Sequence, residues 1–144
     1  MREVTTLWEQ QGVLPPGKKA SDRARELMMT ARGEEGQLLG LSTCGLITVP
    51  EINEVMYNFR TYVTPSARRR YVTRFLLRHT FLAMGQWNAD PGRREAVGLY
   101  MEVQNEHLKH ARANAITSFG RNLFLGYTSA GHHRRIRYFA HAGM

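Results

Sequence analysis

Apolar positions recur at intervals of three and four along most of the chain, the spacing of helices that bury one stripe and wet the other. Val4, Leu7 and Trp8 give residues 3–11 such a stripe, and Gly-Val-Leu-Pro-Pro-Gly stops it, since proline lacks the amide proton a helix needs. Ser21 is an N-cap residue with Asp22 in the first turn, and Ala24, Leu27, Met28 and Ala31 follow at helical spacing until Gly33. Thr48-Val-Pro-Glu51 matches a capping box, and Ile52, Val55, Met56, Phe59 and Val63 continue one stripe, which predicts a helix over 49–63. Thr64-Pro65 repeats the start signal and predicts a helix ending at Gly85. Asp90-Pro91 does so again and predicts a long helix to about Ser118, ahead of Gly120.

These elements predict an all-α protein, a helical bundle of four to five helices with extended N- and C-terminal arms. Residues 1–20 read as an arm, 21–121 as the helical core and 122–144 as a basic, aromatic tail. The glycine-punctuated stretch 37–48 and residues 122–128 are the two places where the helical pattern lapses.

Charge changes the picture more than composition does. Residues 1–60 hold seven Lys/Arg against eight Asp/Glu, whereas 61–144 hold thirteen against four, so the formal +8 belongs wholly to the second part. Such asymmetry is the footprint of a chain that meets a polyanion. One cysteine, Cys44, allows no internal disulfide, and the N-terminal Met-Arg-Glu-Val lacks the apolar run of a secretory leader, so a reducing compartment without export is expected.

On the predicted 65–84 helix, Arg70, Arg74 and Arg78 stand one turn apart between two apolar patches, flanked by Tyr71 and Phe81. A guanidinium suits phosphate because its planar fork bonds two oxygens at once and its face lies on a ring. Arg93, Arg94, Arg112, Arg121, Arg134, Arg135 and Arg137 extend the basic set, the last three interleaved with Tyr138 and Phe139 as single-stranded nucleic-acid binding requires. No pattern for sequence-specific readout or nucleotide hydrolysis is present.

Glu102, Glu106, His107 and His110 fall within nine residues, but they do not share one helix face, so neither metal nor cofactor is expected. Cys44 among leucines reads as a small apolar residue, and no catalytic constellation emerges, so an enzyme is not expected.

The Arg74 helix, the Pro91-Gly-Arg93-Arg94-Glu95-Ala96 opening and the Ser118-Phe119-Gly120 exit together resemble the core of coat proteins of flexible filamentous plant RNA viruses, potyvirus-like, over about residues 49–121. This sequence departs from that pattern in motif spacing and in having no acid after Glu106. The resemblance implies a helical subunit whose Arg74 region touches single-stranded RNA. The leading expectation is therefore a non-enzymatic capsid or nucleocapsid subunit, a homo-oligomer packaging RNA in a virion or the host cytoplasm, with no membrane or small-molecule substrate. The rival expectations are a small regulatory RNA- or DNA-binding protein and a protein-interaction module for an acidic partner.

Overall fold

A computed structural model describes residues 2–12, 14, 17, 19–68, 71–103 and 122–142. It overturns the all-α expectation. Its centre is a six-stranded mixed sheet in the order β1-β2-β3-β4-β6-β5, with β1 at Leu27–Arg32, β2 at Leu38–Val49, β3 at Glu54–Val63, β4 at Gly98–Val103, β5 at Leu123–Tyr127 and β6 at His133–Tyr138. Helices α1 (Arg2–Gln11), α2 (Ala20–Ala24) and α3 (Val72–Ala89) flank it, and a 3-10 turn spans Pro65–Ala67.

Each misread segment has a local cause. The stripe assigned to a 49–63 helix is split by a turn at 50–53, where Asn53 donates to the Pro50 carbonyl across 3.2 Å and takes a positive φ of 50°. Thr48 and Val49 end β2 instead of capping a helix, and Pro50 serves a tight turn as readily as a first helical turn. Beyond the turn, β3 buries both faces at its middle. Met56 packs with Val49, Tyr100 and Ile136 on one side, while Tyr57 and Phe59 pack with Leu77 and Met84 of α3 on the other. A strand buried on both faces loses its alternation, and chance spacing then imitates a helix.

The same correction applies elsewhere. The helix expected from Ser21 to Gly33 stops at Ala24, and Leu27–Arg32 is β1. Asp90 opens no helix: its Oδ1 accepts from the Gly92 amide at 2.9 Å, an Asx turn that feeds β4. The remainder of that expected helix, 104–118, lies outside the described residues. The expected tail supplies β5 and β6, which pair antiparallel from Leu123↔Ile136 to Tyr127↔His133.

Among the described residues, α1 stands almost as read, and the helix through Arg74 stands with shifted bounds, Pro65–Ala67 being a 3-10 turn. Helix α3 begins at Val72 and passes through Gly85 to Ala89, because Gly85 faces the Phe139 ring, 3.4 Å from where a Cβ would stand. Its inner face is Val72, Leu76, Thr80, Met84 and Asn88, one residue per turn, with Leu77 beside them. Ser42 Oγ and Thr80 Oγ1, both fully buried, meet at 2.7 Å and tie β2 to this helix. On the sheet's other face, Val4 and Trp8 of α1 and Ala20 and Ala24 of α2 close over Leu41. Burying one such large apolar side chain contributes about 1.5–3 kcal/mol.

Candidate functional site

Four of the five neighbouring strand pairs of this sheet are antiparallel, and one is not. β3 and β4 run parallel, joined by the crossover through α3, as parallel neighbours must be. They share only two register pairs, Tyr57↔Leu99 and Asn58↔Tyr100. Past those pairs β3 continues to Val63 against β2 alone, and β4 continues to Val103 against β6 alone. Among the described residues, the ladder between β3 and β4 therefore lapses toward their C-terminal ends while the strands stay neighbours. Each turns one row of backbone amides and carbonyls to this lapse, where the described residues supply no ladder partner. Phe59 of β3 and Met101 of β4, each 6% exposed, give it an apolar floor over α3.

The head of α3 lies at the same end, because the chain leaves β3 at Val63 and enters the helix at Val72. Arg68 reaches back to the Val63 carbonyl, its Nε 3.5 Å away. Tyr71 occupies the N-cap position in left-handed conformation (φ 59°), and among the described residues no side chain caps the helix, which leaves its first-turn amides as donors. Three features of one end thus combine: open strand edges, an uncapped helix start with its partial positive charge, and an exposed guanidinium on the β3 terminus.

Among the described residues, the arginines proposed from sequence do not form one track. Arg74 and Arg78 are exposed on the outer face of α3, with Arg74 over the Tyr71 ring at 5.9 Å. Tyr71 is the most exposed aromatic residue described, at 74%, whereas Phe81 is half-buried with the Arg137 guanidinium over its ring at 3.5 Å. Arg93 stacks on Trp87 at 4.6 Å, and Arg94 donates to the Asn88 carbonyl at 3.2 Å. Arg134 forms a fork on Glu51 and donates through Nε to Tyr100 Oη at 3.0 Å, and Tyr100 in turn donates to Glu102. These bonds raise the Arg134 pKa and hold the Glu51 carboxyl down at about 2. Arg135 is fully buried over the Phe124 ring. Arg70, Arg112 and Arg121 lie outside the described residues.

Glu106, His107 and His110 of the metal candidate are likewise outside them, and among the described residues no group of three metal-ligating side chains gathers. Among the described residues, no helix is long and apolar enough to cross a membrane. Cys44 is buried, and desolvation first, then the nearby Glu26 charge, pushes its thiol up to about 12, where it carries no nucleophilic thiolate at neutral pH.

Sequence reasoning missed the lapse in the β3–β4 ladder, since it saw no strands there. It also missed Asn88, which is fully buried and arranges the approach to β4. Its Nδ2 donates to Tyr57 Oη at 3.0 Å and to the Met84 carbonyl at 2.9 Å, and its Oδ1 accepts from the Glu95 and Ala96 amides at 2.9 and 3.1 Å. Tyr57 donates onward to Glu95 at 2.7 Å, and burial is the main cause that raises its pKa. The single hint in the sequence was an asparagine on the apolar side of an otherwise regular helix. No protein-family model matches the chain, and a comparison with curated proteins finds no match.

Proposed function

We propose that this protein binds a phosphate-bearing ligand at the head of α3, with an extended, amide-containing arm of that ligand lying along the C-terminal ends of β3 and β4. The observation that carries the reading is the lapse of the ladder between the two parallel strands after Asn58 and Tyr100. Open α/β sheets take ligands at the carboxyl ends of their strands, where neighbouring chains diverge. Backbone groups lacking a ladder partner select amides, as an added strand would. An uncapped helix start beside Arg68 selects phosphate oxygens. One molecule satisfying both would join phosphates to an amide-bearing arm.

A continuous track for an RNA strand finds less support, because it needs the tail arginines at the surface. Arg134 is committed to Glu51, Arg135 is buried, and Arg137 covers Phe81. The test is calorimetric titration of the full chain with ADP, coenzyme A and an oligouridylate. ADP offers phosphates alone, coenzyme A adds an amide-bearing arm, and the oligonucleotide offers a phosphate chain. Coenzyme A is expected to bind more tightly than ADP, and Arg68→Glu to weaken both at least tenfold. Salt-steep binding of the oligouridylate with no heat from coenzyme A would overturn the reading, as would affinities indifferent to Arg68→Glu.

A further inference from the structure

Helix α3 carries a second feature, on the face turned away from the sheet and independent of the ligand reading. Tyr71, Phe75, Arg78 and Leu82 follow one another at steps of four, three and four, the spacing by which one helix presents a seam to another. All four are exposed: Tyr71 at 74%, Phe75 and Leu82 each at 54%, and Arg78 in the exposed class. Arg74 and His79 border the seam, with the His79 ring 4.2 Å from that of Phe75. No Asp or Glu occurs from Val72 to Ala89. Soluble proteins scatter exposed apolar residues singly, and a contiguous row rimmed by one sign of charge marks a surface that meets something.

We propose that this outer face of α3 docks an acidic amphipathic helix of another protein. Its apolar side would cover Phe75 and Leu82, and its carboxylates would face Arg74 and Arg78. Charge complementarity selects this occupant. A second copy laid along the seam would bring arginine against arginine in a chain whose excess is already +8. An oligonucleotide would engage the arginines and the rings, but would leave Leu82, at the far end of the seam, with nothing to bury it.

The test is selection from a random peptide library displayed against the full-length chain, followed by anisotropy measurements on the enriched peptides. The expected result is enrichment of sequences with apolar residues at i, i+4 and i+7 flanked by Asp or Glu. Their affinity should fall at least tenfold with Phe75→Ser, with Leu82→Ser and with Arg78→Glu, while circular dichroism stays unchanged. A lysine-for-glutamate version of the same peptide should regain affinity for the Arg74→Glu/Arg78→Glu chain. That charge-swap rescue separates docking from lost folding. Failure to enrich, enriched peptides without acids, or affinities unmoved by these variants would overturn the proposal. So would displacement by an oligouridylate, which would assign the face to nucleic acid, or a dimer abolished by Phe75→Ser, which would assign it to a second copy.

Discussion

The side-chain amide of Asn88 donates to the phenol oxygen of Tyr57 across 3.0 Å, joining the last turn of α3 to the middle of β3. The same asparagine accepts from the Glu95 and Ala96 amides and so fixes the segment that leads into β4. β4 keeps two register pairs with β3, Tyr57↔Leu99 and Asn58↔Tyr100, a few residues beyond the amides that Asn88 holds. Helix, strand and connection meet there without a water-exposed atom of Asn88, which is 0% exposed.

Asn88→Ala deletes a donor and an acceptor that satisfy four partners at once. It leaves the Glu95 and Ala96 amides to find other acceptors, while the Met84 carbonyl keeps its helix bond. A loss of about 3 kcal/mol is expected, since each buried group left unpaired costs about 1–3 kcal/mol and part is recovered by relaxation. Thermal unfolding checks it, with a midpoint lower by about 10 °C at this chain length. A change under about 2 °C would mean that the connection holds its shape by other contacts.

Glu51 ties the β2–β3 turn to β6 through Arg134, and its carboxyl, ordinarily near 4.5, is held at about 2, chiefly by that side-chain hydrogen bond. A folded pKa below the unfolded one means that the unfolded chain takes up the proton first as pH falls. The stabilisation is therefore complete above about 4.5 and disappears toward 2. Urea midpoints of the wild type and Glu51→Gln should differ at pH 7 and converge as the pH falls to about 2. A gap that is constant across this range would exclude the ion pair as its source.

What could be read from sequence depended on how many sides of each element are buried. α1 shows a wet face and a dry one, so Val4, Leu7 and Trp8 gave its bounds almost to the residue. β3 is dry on both sides around Met56, Tyr57 and Phe59, so the strand period vanished and Ile52, a turn residue, completed a false helical stripe. The β-branched and aromatic content of Tyr57-Asn-Phe-Arg-Thr-Tyr-Val63 was the better signal and was outweighed by the spacing. Two Pro-based start signals, at Pro50 and Pro91, mark turns, because a fixed φ near −65° serves both. Arg74 and Arg78 are exposed, as the cost of burying a cation favours. The lapse of the ladder between β3 and β4 could not be read, being a property of strand pairing over a separation of about forty residues.

Cys44 faces α3 between β2 neighbours, 8% exposed, with its thiol pushed from 9.0 to about 12. Native protein should not react with a disulfide reagent at pH 8, while chain unfolded in guanidinium should react fully within the dead time of the assay. The raised pKa also predicts alkaline sensitivity. The unfolded thiol ionises first, so stability falls from about pH 9 and the loss is complete near 12. Cys44→Ala should lower stability at neutral pH by leaving a small cavity, and should flatten this alkaline limb. A wild-type thiol that reacts as fast folded as unfolded would contradict the burial on which both statements rest.

Gly98 begins β4 opposite Tyr138 of β6, and the two backbones approach so closely that an added Cβ would strike the Arg137 carbonyl oxygen and lie 2.9 Å from Tyr138 Cα. Both obstacles are main chain, so no rotamer relieves them, and Gly98→Ala must push β4 away from β6 along the ladder that runs to Val103↔His133. A loss of about 3 kcal/mol or more is expected, read as a fall in thermal midpoint and in the soluble yield. Gly92→Ala is the matched control, since its Cβ would meet only Asp90 Oδ1 at 3.4 Å and should cost no more than about 0.5 kcal/mol. Because β4 pairs with β6 over its whole length and with β3 over two residues, displacing it should also change its placement against β3. Coenzyme A affinity, measured on whatever fraction of Gly98→Ala folds, should therefore drop, while binding of acidic peptides to the far face of α3 should hold. Equal loss of both would point to global unfolding, and loss of neither would separate the ligand site from the lapse of the ladder.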